Sequence, residues 1–144
     1  MEALKRIMHV EDDDSIRMIT SITLESVGNM EVKSCESGFL ALEQFEEFQP
    51  QVILMDVMMP ELDGPETLKR MMASFDLSSI MVVFMTANVQ EDEVAHFKAI
   101  GGFDVIEKPF DPMTLSEKIQ ACWTAFHGRL DKGKRIKVGG LAKA

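Results

Sequence analysis

Four short stretches of this sequence carry groups that could act together on a phosphoryl group. The run Glu11-Asp12-Asp13-Asp14 sets four carboxylates side by side directly after an apolar stretch. Asp56 closes the apolar run QVILMD, Thr86 closes SIMVVFMT, and Lys108-Pro109 follows FDVIE. Carboxylates gathered in one place repel, and each pKa unit of upward shift represents about 1.4 kcal/mol of differential energy. A hard divalent cation offsets that repulsion. Mg2+ takes one or two carboxylates together with waters and phosphoryl oxygens. The ion would also screen Asp56, letting it approach an anionic donor as a carboxylate nucleophile. Lys108 adds a compact positive charge for the same oxygens, and the Thr86 hydroxyl can donate a hydrogen bond to the product phosphoryl group.

That chemistry requires elements that bring the four stretches together. Apolar runs alternate along the chain with segments of helical period. Strands are expected at 5–10 (KRIMHV), 30–35 (MEVKSC), 51–56, 79–86 and 103–107. Between the first two, residues 14–27 predict a helix with Ile16, Ile19, Thr23, Leu24 and Val27 on its inner face. Asp13 or Asp14 suits its N-cap, and Gly28-Asn29 suits its end. Ser37 can cap a second helix to about residue 47, Pro65 opens a third, and a fourth spans 90–100. Asp111-Pro112 opens a fifth that runs to about His127. Five strands alternating with five helices predict an α/β fold, a doubly wound five-stranded parallel sheet covered on both faces. In such a sheet ligands sit beyond the carboxyl ends of the strands, where the strand order reverses. The acids, Thr86 and Lys108 all stand at those ends.

The bulk composition narrows the function classes. A chain of 144 residues fits one compact domain. The net charge of −9 is uneven: residues 129–144 hold six basic residues against Asp131, a net +5, which leaves −14 on the other 128. The division is therefore a domain over 1–128 and a basic C-terminal tail over 129–144, to which no secondary structure is assigned. An acidic body argues against nucleic acid as the ligand. No apolar run is long enough for a membrane span, and the start lacks a secretion signal. Cys35 and Cys122 read as buried thiols of a reducing compartment, and the cytoplasm is the expected location. Nucleotide binding is disfavoured because no Gly-rich loop precedes a Lys-Ser/Thr pair.

Taken in order, EDD at 11–13, LMDVMMPELDG at 54–64, MTA at 85–87 and KPF at 108–110 resemble the receiver domain of two-component response regulators. The likeness is to the stand-alone kind typified by the chemotaxis regulator, and it covers roughly residues 5–127. It implies the flavodoxin-like receiver fold, with Asp56 as phosphoacceptor and Glu11 and Asp12 as the acidic pair for Mg2+. It also implies that Met58 adds its backbone carbonyl to the metal. Thr86 and Lys108 match the switch hydroxyl and the lysine, and Lys108-Pro109 becomes a candidate cis bond. The phosphoryl group would come from a phosphohistidine on a sensor histidine kinase or histidine phosphotransfer protein. Output would be docking to a downstream protein target, with no nucleic acid and no membrane insertion. Such a protein catalyses its own phosphorylation and dephosphorylation without being a dedicated turnover enzyme. The alternatives are a phosphorelay intermediate and a phosphorylation-independent binding module on the same fold.

The match departs in places. Many receivers carry Tyr or Phe where this chain has Val105, so the aromatic-switch mechanism is not carried over. Phe103 stands two residues earlier and is expected on the same strand face as Val105. His9 sits in the first strand where an apolar residue is usual, and reads as a satisfied, partly buried histidine. Asn88 and Met58 occupy positions that influence dephosphorylation in this family. Neither is a strong base, which predicts modest self-hydrolysis. Asp13 and Asp14 read as a cap and a solvated face. The twelve methionines, Met58-Met59 and Met71-Met72 among them, read mostly as core filler. Trp123 reads either as packed against the body or as an interface anchor.

Overall fold

Each expected strand forms, and all five pair in parallel. A computed structural model describes residues 2–143, with side chains described as far as Arg129. The chain order is β1 (Arg6–Val10), α1 (Asp14–Ser26), β2 (Glu31–Cys35), α2 (Gly38–Phe48), β3 (Val52–Asp56), α3 (Gly64–Ser74), β4 (Met81–Thr86), α4 (Glu91–Ala99), β5 (Asp104–Glu107) and α5 (Pro112–Lys143). The strands lie in the order β2-β1-β3-β4-β5, a doubly wound, flavodoxin-like α/β sheet. The order reverses between β1 and β3, which places the crevice of such a sheet beside the ends of these two strands.

Two apolar layers sandwich the sheet. One gathers Ile7, Leu54 and Val83 with Leu24 of α1 and Leu115, Ile119, Trp123 and Phe126 of α5. The other gathers Met8, Ile53, Met55 and Phe84 with Phe45 of α2, Leu68 and Met71 of α3 and Phe97 of α4. β3 and β4 are buried along their whole length, as strands covered on both faces must be. Each such side chain contributes about 1.5–3 kcal/mol of transfer free energy when fully buried. Trp123 resolves as a core residue, 1% exposed, and its indole N–H donates to the Glu2 carbonyl at 2.8 Å.

The helix starts follow capping chemistry. Asp13 accepts from Ile16 N, Ser37 from Leu40 N, and Asp63 from Glu66 N. Asp111 accepts from Met113 N at the opening of α5. Asn29, just past α1, takes the left-handed conformation with φ 55°.

Three local expectations are corrected. On α1 the buried residues are Thr20, Thr23 and Leu24, whereas Ile19 and Val27 are 45% and 50% exposed. The inner face is turned because α1 packs against α5 as well as the sheet; a Cβ on Gly28 would lie 3.0 Å from Ser116 Cβ. The backbone of α5 runs on to Lys143, beyond the expected end near His127. Lys, Arg, Leu and Ala are good helix formers, and extending an existing helix incurs no nucleation cost. The Arg129 guanidinium lies 6.0 Å from the centroid of the Phe103 ring, and what the basic side chains after Arg129 touch lies outside the described residues. Finally, Met58 and Met72 are 78% and 46% exposed, whereas their neighbours Met59 and Met71 are buried as core filler should be.

Candidate phosphoryl and metal site

The sheet ladder continues one residue past several strands and so fixes where the site loops depart. Glu11 N donates to Cys35 O at 3.0 Å, Val57 N to Met85 O at 3.0 Å, and Lys108 N to Thr86 O at 2.8 Å. Glu11, Asp56, Thr86 and Lys108 are thereby anchored in register at one edge. Gly64 adds a further constraint, because its N–H donates to Val57 O at 2.9 Å. A Cβ there would stand 2.4 Å from the Asp56 carbonyl oxygen, so only glycine lets α3 begin this close behind Asp56. The Lys108-Pro109 bond is cis.

Carboxylate oxygens of Glu11, Asp12 and Asp56 lie within 4.8 Å of one another. Glu11 and Asp56 are buried, and Asp12 is exposed. The Lys108 ammonium spans two of them, 2.9 Å from Glu11 Oε1 and 3.3 Å from Asp56 Oδ1. The second Glu11 oxygen accepts from Asp13 N at 3.2 Å. Burial pushes the Glu11 carboxyl up to about 7, with the Asp56 charge adding to it, against the pull of Lys108 and the Asp13 N–H. Burial works against the Lys108 ammonium, yet the Glu11 hydrogen bond and the Asp56 charge outweigh it and raise its pKa. The ion pair alone would lower Glu11; desolvation decides the outcome there. One amine for three carboxylates leaves the cluster short of positive charge. Its donors are all oxygen, so it fits a hard divalent cation.

Thr86 is buried and its Oγ1 accepts from Asn88 N at 3.2 Å, which leaves the hydroxyl hydrogen free to donate. Asn88 Oδ1 accepts from Gln90 N at 3.2 Å, so this side chain shapes the approach to α4. Met58 follows Asp56 by two residues in the β3–α3 loop, its side chain in solvent. Asp13 is the α1 cap, and Asp14, with an 85% exposed side chain, pairs with Arg17.

The histidine expectation is corrected. His9 is fully buried, and among the described residues neither ring nitrogen has a hydrogen-bond partner. Burial, with the Lys108 and Arg17 charges, drives its pKa down to about 3, so the ring is neutral. The expected shared face of Phe103 and Val105 is also overturned. Phe103 packs with the α1/α5 layer, edge-on to Phe126, whereas Val105 packs with the α4 layer. β5 begins only at Asp104, so strand alternation does not extend back to Phe103. Both cysteines are free; Cys35 is buried and Cys122 half-buried.

Sequence reasoning attached no role to Arg17. Its Nη1 donates to the Glu11 carbonyl at 2.9 Å and to the Asp12 carbonyl at 3.4 Å. Its place in the first turn of a helix opening beside the acids was the available signal.

Comparison with known proteins bears on these observations. The family model for the response regulator receiver domain matches residues 7–120. The chain is 34% identical over 137 residues to the transcriptional regulatory protein CseB of Streptomyces coelicolor, covering 95% of this chain and 56% of that protein. It is 35% identical over 120 residues to the regulatory protein AtoC of Escherichia coli, covering 83% of this chain and 25% of that protein. It therefore spans about half the first relative and a quarter of the second. The solved structure of the Vibrio cholerae chemotaxis protein CheY4 matches with a TM-score of 0.75 at 30% identity, covering 83% of this chain and 99% of that one.

Proposed function

The chain belongs to the response regulator receiver domain family, and from that premise we propose that Asp56 accepts a phosphoryl group from a partner's phosphohistidine and that the modified surface docks to a downstream protein. The single observation that carries this reading is the cluster of Glu11, Asp12 and Asp56 oxygens within 4.8 Å, with Lys108 reaching two of the three side chains. In the transfer an Asp56 carboxylate oxygen attacks phosphorus, the phosphorus–nitrogen bond breaks, and the imidazole leaves with its electron pair and takes up a proton. Lys108 holds its positive charge beside the incoming oxygens, and the Thr86 hydroxyl donates to one of them. Glu11, Asp12, Asp56 and the Met58 carbonyl would hold Mg2+, which supplies further positive charge for the phosphoryl oxygens. Water attack on the acyl phosphate returns the Asp56 carboxylate and inorganic phosphate. Neither Met58 nor Asn88 supplies a strong base for that water, which supports slow self-hydrolysis.

The donor is a sensor histidine kinase or histidine phosphotransfer protein, and the meeting place is the cytoplasm. Among the described residues no helix is long and apolar enough to cross a membrane. A new dianionic group beside Thr86 biases the β4–α4 loop, and α4, β5 and α5 form the responding surface. One observation favours a second reading, a binding module that works without phosphorylation: Val105, an aliphatic residue packed in the α4 layer, stands where an aromatic switch would be. Incubation with Mg2+ and a small acyl-phosphate donor, followed by intact mass, separates the two. One phosphoryl increment on the wild type and none on Asp56→Asn supports the acceptor. No increment on either supports the binding module, and an increment on both moves the acceptor away from Asp56.

A further inference from the structure

We propose that Arg17 is a positioning residue: by clasping the backbone of the β1–α1 turn it holds the Asp12 carboxylate toward Asp56 and so sets the affinity of the acidic site for a divalent cation. The inference rests on the metal-binding reading above and deepens it.

The three carboxylates are held to different degrees. Asp56 is the last residue of a fully buried strand. Glu11 is tied through both oxygens, one to Lys108 and the other to Asp13 N. Asp12 is exposed, and among the described residues its hydrogen bond runs through its backbone carbonyl, to Arg17. Its carboxylate therefore reaches the cluster because of where the turn backbone is placed. Arg17 fixes that placement twice, because Nη1 takes the Glu11 and Asp12 carbonyls while Nη2 pairs with Asp14. The Arg17 backbone N–H also donates to Asp13 O at 2.9 Å, so the clasp is built on the first turn of α1. A planar guanidinium with several donors can span consecutive carbonyls and a carboxylate; a lysine ammonium is a point charge and cannot reproduce that fork. The side chain is only 19% exposed.

Electrostatics and geometry predict opposite results for removing this group. A positive charge near a cation site repels the cation, so by Coulomb's law alone its loss tightens binding. Loss of the clasp frees the turn, and an ordering cost for Asp12 is then added to every binding event.

Calorimetric titration of the full chain with MgCl2 alone distinguishes these, using wild type, Arg17→Gln and Arg17→Lys, with thermal unfolding of each in chelator. Exchange of the Asp13 amide, followed without metal, reports the turn directly. The expected result is a Kd raised about 10-fold in Arg17→Gln, as for other groups that orient metal ligands. Arg17→Lys, which keeps the charge but not the fork, is expected to weaken binding as well. Asp13 exchange is expected to be faster in both. If Arg17→Gln does not fold, Arg17→Lys carries the test. Unchanged or tighter Mg2+ binding in a folded variant overturns the proposal while leaving the metal site intact. A wild type that binds no Mg2+ overturns the metal reading itself, and this proposal with it.

Discussion

The Lys108 ammonium and the Glu11 carboxylate stand 97 residues apart in the chain and 2.9 Å apart in space. The same amine lies 3.3 Å from Asp56. It therefore competes with any cation for the same oxygens, and it is also the positive group nearest a phosphoryl acceptor.

This double position predicts a split. Lys108→Met is expected to bind Mg2+ at least as tightly as wild type, because a repelling charge is gone. Its phosphorylation by a small acyl-phosphate donor is expected to slow by about 100-fold, the usual cost of losing one donor aimed at developing charge. Titration calorimetry and timed intact mass report the two halves separately. Weaker binding together with slower transfer would make Lys108 a structural support only.

His9 and Glu11 make opposite contributions to stability against pH. The pKa of His9 is about 3 in the fold against an ordinary 6.5, so the unfolded chain binds more protons between these values. Its contribution is complete above pH 6.5 and is lost as pH falls toward 3. The pKa of Glu11 is about 7 in the fold against an ordinary 4.5, so the folded chain binds more protons in that window. Its contribution is present below pH 4.5 and is lost as pH rises through 7. In metal-free buffer, His9→Leu is expected to flatten the acid limb below pH 6.5. Glu11→Gln is expected to flatten the decline between about pH 4.5 and 7. Urea midpoints at closely spaced pH values test both, and unchanged profiles would reassign the pH dependence to other groups.

Gly64 bears on how Asp56 is carried. A methyl group there would meet the Asp56 carbonyl oxygen at 2.4 Å and Val57 Cα at 3.2 Å, both backbone atoms. Gly64→Ala is therefore expected to lower stability by about 1–3 kcal/mol, the usual range for overpacking. Phosphoryl uptake is expected to fall with it, because relief of the clash moves Asp56. Urea denaturation and intact mass check the pair; wild-type values in both would show that the β3–α3 loop yields freely.

The amino-acid sequence by itself determined the strands, a helix cap at Asp13 or Asp14, another at Ser37 and the four groups of reactive residues. Each of these depends on local spacing: an apolar run that stops at a polar residue, or an oxygen placed three residues before an N–H it can accept from. The convergence of Glu11, Asp56 and Lys108 was legible for a related reason. In a parallel doubly wound sheet every strand end of one polarity lies on the same edge. Tertiary structure alone decided which face a residue takes where an element begins or where two layers compete for it. Phe103 and Val105 part to opposite layers because β5 starts at Asp104, between the two, so that strand alternation governs Val105 and not Phe103. Ile19 turns outward because α5 and the sheet together choose the Thr20, Thr23 and Leu24 side of α1. The burial of His9, with no partner among the described residues, is of the same kind, since it depends on distances between segments that no local pattern encodes.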